Sequence, residues 1–150
     1  MEIHLRFDHE LMLKYERRDS PLVFGIWWNH NGLDYPEHGW IDFGVVVIGW
    51  WFTSISSLWK GTPRTRFSFM DGPYGIVAKR MSGKKNTIVE LLPEGENVTW
   101  YIMLDELTQR IVKAADEVRI ELTHTNIAEA TRLDLEGAIK DLTEEIAKYK

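Results

Sequence analysis

Four side chains able to bind a metal or move protons crowd into one short stretch: His30, Asp34, Glu37 and His38. Two imidazoles and two carboxylates suit a divalent cation or an acid–base pair. Their order does not reproduce the helical H-E-x-x-H pattern, and Gly32 and Pro36 oppose a helix there. Residues 29–39 are dominated by Asn, Gly, Asp and Pro, so the stretch reads as a solvated loop. No metal and no cofactor is expected in it. Nucleophilic chemistry has no support either. Cysteine is absent, and Ser54, Ser56 and Ser57 sit in an apolar run outside any G-x-S-x-G context. No G-x-x-x-x-G-K-[ST] or G-x-G-x-x-G pattern occurs to cradle phosphates. The expectation is a protein that is not an enzyme.

Two further features bear on recognition. Six of the seven tryptophans fall between positions 27 and 59. Indoles dominate interface hot spots, yet large aromatics are mostly buried. Most of the six are expected in the core, with Trp40, beside the polar loop, the best candidate for exposure. The 60–85 stretch sets Lys60, Arg64, Arg66, Lys79, Arg80, Lys84 and Lys85 against the single acid Asp71. Such a meander, with Phe67, Phe69 and Tyr74 interleaved, suits a nucleic-acid backbone, or else guards strand edges with charge. The chain as a whole carries −5, which disfavours nucleic acid.

The elements that position these residues follow from periodicity. Ile3, Leu5 and Phe7 alternate with Glu2, His4 and Arg6, a half-buried strand, and Leu11, Leu13 and Tyr15 repeat the alternation. The charged cluster 16–21 ends it, and residues 22–28 read as a central strand. Trp40 to Phe43 and Val45 to Ile48 read as strand, because consecutive valines favour one. Trp50 to Trp59 reads as a short buried helix closed by Gly61-Thr62-Pro63. The run Phe43–Trp59 has 17 uncharged residues, short for a membrane span and broken by Gly and Ser.

Residues 66–70, 76–81, 87–92 and 98–103 form an antiparallel meander separated by turns at 71–74, 82–86 and 93–97. Phe67, Phe69, Ile76, Val89, Trp100 and Ile102 are its expected buried face. Helical spacing then sets in. Leu104, Leu107, Ile111, Ala114, Ala115 and Val118 define one helix, and Leu135, Ala138, Ile139, Leu142, Ile146 and Tyr149 a second. Thr125-Asn126 and Thr131 to Asp134 supply breaking and capping chemistry between them. Residues 1–150 therefore read as a single α+β domain: a mainly antiparallel sheet, a buried middle helix and a C-terminal helical pair. The charged N-terminus offers no export signal, and a cytoplasmic location is expected.

The stretch Trp40-Ile41-Asp42-Phe43-Gly44-Val45-Val46-Val47-Ile48-Gly49-Trp50-Trp51, the turn Phe69-Met70-Asp71-Gly72-Pro73-Tyr74 and the terminal helix pair cover about half of the chain. In a small, acidic, cysteine-free α+β chain they resemble the bacterial immunity proteins of polymorphic and contact-dependent growth-inhibition toxin systems. The resemblance implies a function: binding one cognate toxin domain, such as a nuclease, and blocking its active site or its substrate's access. It carries over no contact residues. The exposed loops are where anchors would sit, namely Asp34, Glu37 and Trp40 in the 29–40 loop and Glu94 and Glu96 in the turn before the fourth meander strand. Carboxylates there would meet the lysines and arginines of a nuclease surface.

Overall fold

The computed structural model describes residues 1–16, 22–81, 87–125 and 128–150. The turn expected at 82–86, most of the charged cluster at 16–21 and Asn126 lie outside the described residues. Strand β1 (Glu2–Arg6) alternates as its sequence does, with Ile3 and Leu5 against the core and Glu2, His4 and Arg6 exposed. It pairs antiparallel with β2 (Phe24–His30), Leu5 opposite Ile26. The other side of β2 is shared by two short strands. β3 (Leu33–Tyr35) pairs with its end and β4 (Ile41–Asp42) with its beginning. The loop expected at 29–39 therefore contains a strand. Between β3 and β4 the chain swings out, with the Tyr35–Pro36 peptide cis, and returns so that the Trp40 carbonyl accepts the Ile26 N–H of β2 at 2.7 Å.

Two strand expectations are corrected. Residues 9–16, which include Leu11, Leu13 and Tyr15, form helix α1 (His9–Glu16). Its start is set by Asp8, whose carboxylate accepts the Leu11 N–H at 3.1 Å as a helix N-cap does. Met12, at a position the alternation left facing outward, is fully buried. The valines at 45–47 lie in helix α2 (Gly44–Lys60), not in a strand. Tertiary packing overrides their preference. A line of Val47, Ile48, Trp51, Ile55 and Leu58 runs along the helix, all fully buried, and α2 packs against β2, both C-terminal helices and the second sheet. Gly61 (φ 107°) closes it, its N–H bonded to the Leu58 carbonyl at 3.1 Å. No described helix is long and apolar enough to cross a membrane.

The meander is present as expected, as a second sheet of its own: β5 (Arg64–Ser68), β6 (Gly75–Arg80), β7 (Ile88–Pro93) and β8 (Trp100–Met103), in that order and all antiparallel. Phe67, Phe69, Ile76, Val89, Trp100 and Ile102 are all buried, with Phe69 one residue past β5. The architecture is thus α+β with two four-stranded sheets rather than one. Trp28 of β2 meets Trp51 of α2 edge-on at 5.3 Å and Phe67 of β5 at 5.4 Å, so both sheets and α2 share one core. Helices α3 (Leu104–Thr125) and α4 (Glu129–Ala147) close it. Thr131 to Asp134 lie inside α4, not between the helices. Ala128 stands at its N-cap with a left-handed backbone. The Arg132 guanidinium, 2.8 Å from Glu136, supports the first turns instead.

Candidate functional site

Three stretches meet at one end of the molecule: the 33–42 segment, the 69–75 turn and the 93–97 turn. Tyr35 joins them. Its ring is 1% exposed, and its hydroxyl lies 2.9 Å from the carbonyls of both Gly75 and Glu94 while accepting the Gly75 N–H at 3.1 Å. Burial raises the phenol's pKa, partly countered by the Gly75 hydrogen bond. Asp42 makes the second join. This carboxylate is 1% exposed and accepts from Trp40 Nε1 (3.0 Å), the Phe43 N–H (2.7 Å), the Met70 N–H (3.1 Å) and the Asp71 N–H (3.2 Å). Arg66 makes the third. Its Nε donates to Glu94 at 2.7 Å, and its other nitrogens reach Ser68 Oγ and the Pro73 carbonyl. A Cβ at Gly75 would come within 2.4 Å of that guanidinium, so the glycine makes the arrangement possible.

The sequence-predicted anchors fall on this end as follows. Glu37, Glu94 and Glu96 are exposed, and Glu94 is also the partner of Arg66. Trp40 is only half-buried exposure-wise: it stands edge-on to Tyr74 at 5.0 Å and is held by Asp42. The most exposed tryptophan is instead Trp50, at 42%, because the Trp50-Trp51 pair lies on a helix and Trp51 takes the inward direction. Trp27, Trp28, Trp51 and Trp59 are buried as expected. Asp34 is partly buried between Asn29 Nδ2 (2.8 Å) and His38 Nδ1 (3.2 Å). Of the residues that assemble the end, Tyr35 and Asp42 escaped the sequence reading as site residues, and Arg66 and Tyr74 were read only as part of the basic meander. Asp42 had one legible signal, an acid between the large apolar residues Ile41 and Phe43.

Comparison with family models, with curated proteins and with solved structures found no match.

The titratable cluster has a geometry of its own. His38 bridges Asp34 and Arg6, whose guanidinium lies 3.2 Å from Nε2. The Trp27 indole packs beneath, edge-on to His38 at 5.1 Å, stacked on His4 and 5.3 Å from the Arg6 guanidinium. An imidazole oriented by a carboxylate is the geometry of a general base, but here its second nitrogen faces a guanidinium, which competes for the lone pair. His30 stands apart, against Trp100 at 5.5 Å, its pKa lowered first by burial and then by the N-terminal amine. Among the described residues no group of three or more metal-ligating side chains converges. The basic stretch is partly committed within the fold. Lys60 pairs with Glu145 at 2.9 Å, Arg66 with Glu94, and Arg80 donates to the Leu58 carbonyl. Lys84 and Lys85 lie outside the described residues.

The Asn29 hydrogen bond, opposed by desolvation and aided by His38, holds the Asp34 carboxyl below its usual range. A carboxyl with a lowered native pKa stabilises the fold fully above its unfolded-state pKa, and that contribution is lost as pH falls through the native value. Asp34→Asn is therefore expected to flatten part of the acid limb of the stability–pH curve and to leave its slope above neutrality unchanged. Unfolding midpoints measured across the acid range for parent and variant check this, and equal acid slopes would refute it.

Proposed function

We propose that this chain is an immunity protein that binds a cognate bacterial toxin domain in the cytoplasm and blocks its active site or the path of its substrate. The observation that carries this reading is the locked convergence of the 33–42 segment, the 69–75 turn and the 93–97 turn. These segments present the Trp40–Tyr74 aromatic pair, with the acids Asp34, Glu37, Asp71, Glu94 and Glu96 on the same three stretches. A central aromatic with a charged surround is the composition of an interface hot spot. Because Tyr35, Asp42 and Arg66 fix the backbone before binding, little ordering entropy is lost on association, which favours tight inhibition. The acidic balance suits a basic partner such as a nuclease, whose encounter it would steer. No cofactor and no turnover enter this reading.

The test is an alanine scan of Asp34, Glu37, Trp40, Glu94 and Glu96, with affinity measured for the toxin domain encoded beside this reading frame and protection measured in cells. Trp40→Ala is expected to weaken binding by about a hundredfold, and single acid truncations by roughly five- to twentyfold. Raising salt should slow association of the parent more than it speeds dissociation. Five variants that bind like the parent would move the interface elsewhere. A purified chain that binds no toxin and turns over a substrate would overturn the function.

A further inference from the structure

The two edges of the meander sheet differ in what they offer. β5 carries Arg64 and Arg66 and packs on α2. β8 is the other edge, and from Val98 through Leu104 the chain has no charged residue. The Leu104 N–H bonds the Thr87 carbonyl at 2.8 Å, and on the far side of β7 the Met81 N–H bonds the Ile88 carbonyl at 2.9 Å. With Met103 opposite Ile88 and Tyr101 opposite Glu90, this phase turns the backbone groups of Trp100 and Ile102 toward β7. The Tyr101 N–H and C=O and the Met103 N–H then point outward, where no described strand pairs. The same residues face solvent with their side chains, Tyr101 59% and Met103 36% exposed, and Ile88 and Met81 extend the apolar surface behind them. Edges are ordinarily guarded by charge, proline or a bulge, and β8 carries no charge and no proline.

We propose that β8 pairs antiparallel with β8 of a second copy of this chain, Tyr101 lying on the two-fold axis, so that two meanders join into one eight-stranded sheet. An antiparallel edge strand is its own complement, because each residue on the axis donates to and accepts from its equivalent. Two-fold pairing sets the axial side chain, Tyr101, against its own equivalent, where a charge would repel itself. The uncharged run from Val98 to Leu104 meets that condition. Tyr101 exchanges two hydrogen bonds with its equivalent, and the Met103 N–H reaches the carbonyl of Thr99 of the partner subunit. The outward apolar stripe of Met81, Ile88, Met103 and Tyr101 continues across the axis. Four strand residues give a small contact, so association is weak and depends on concentration.

Sedimentation equilibrium of the isolated chain tests this without any toxin, so its failure leaves the immunity reading standing. Over a concentration range of about a hundredfold, the mass of the parent should climb from 17.6 kDa toward twice that value. Tyr101→Lys and Tyr101→Asp should each remain monomeric, since each places a charge against itself. An equimolar mixture of the two should associate again, an outcome that misfolding cannot imitate. On the parent, exchange of the Tyr101 and Met103 amides should slow as concentration rises. A parent that stays monomeric with unchanged amide exchange, a Tyr101→Lys variant that associates like the parent, or a mixture that fails to recover would each overturn the proposal.

Discussion

Replacing Asp42 by alanine is expected to lower the unfolding free energy by about 3–4 kcal/mol, one of the two largest losses expected from a single substitution here. The carboxylate is buried and receives four N–H groups, three from backbone and one from Trp40. Charge-assisted bonds of this kind contribute about 1.5–3 kcal/mol each before their mutual dependence is counted. Alanine removes the acceptor and leaves donors facing a small void too crowded to solvate them all. Asp42→Asn keeps one acceptor oxygen but turns an amide N–H₂ toward donors, so it should cost about 1–2 kcal/mol. Urea unfolding of the two variants checks the ranking. A loss below about 1 kcal/mol for the alanine variant would mean the 69–74 turn holds itself in place without Asp42.

Gly44→Ala is the second large effect, and its sign runs against helix propensity. Gly44 is the first residue of α2, where propensity alone would not make alanine worse than glycine. Here a Cβ would sit 2.1 Å from Cε2 and Cζ of Phe24. Phe24 is fully buried and tilted against Phe7 at 5.4 Å, so its ring has no room to withdraw. The clash forces α2 away from β2, a rearrangement of the overpacking type, and a net loss of about 2–3 kcal/mol is expected. Phe24→Leu costs stability alone but should offset part of the glycine substitution when combined with it. A double-mutant cycle reads that coupling directly, and strict additivity would show that the ring is not what excludes the methyl group.

The elements with strong periodicity were legible from sequence. Turns with Gly and Pro separated the meander strands, and Phe67, Ile76, Val89 and Trp100 alternated onto one face that the structure buries. The helical spacing after Leu104 gave both C-terminal helices. What failed was the assignment of short apolar runs. Val45 to Val47 carry a strand preference, but a run of consecutive apolar residues cannot reveal its period, and burial of the Val47, Ile48, Trp51, Ile55 and Leu58 line of α2 decided for a helix. Leu11 and Leu13 alternated by chance, and the capping role of Asp8 went unread. The candidate end was half legible. Loop composition located Asp34, Glu37, Trp40, Glu94 and Glu96 on stretches that the fold does bring to one end. The residues that bring those stretches together, Tyr35 and Asp42, act across 28 to 59 positions of sequence, and no local pattern encodes such a partner.

The tie made by Tyr35 also has a place in time. Its hydroxyl waits for Gly75 and Glu94, which are synthesised 40 and 59 residues later. At about 5–20 residues per second, a ribosome needs several seconds to pass from one to the other. During that interval β1 to β4 have no complete second sheet to pack on, and the aromatic and acidic end lacks the Glu94 contact that closes it. A chain cut short just before residue 94 would hold β1 to β7 and Gly75 yet lack the Glu94 part of this closure. In the proposed role, protection of a cell would therefore begin only with chains synthesised past that point, and truncated products would offer the toxin no competent decoy.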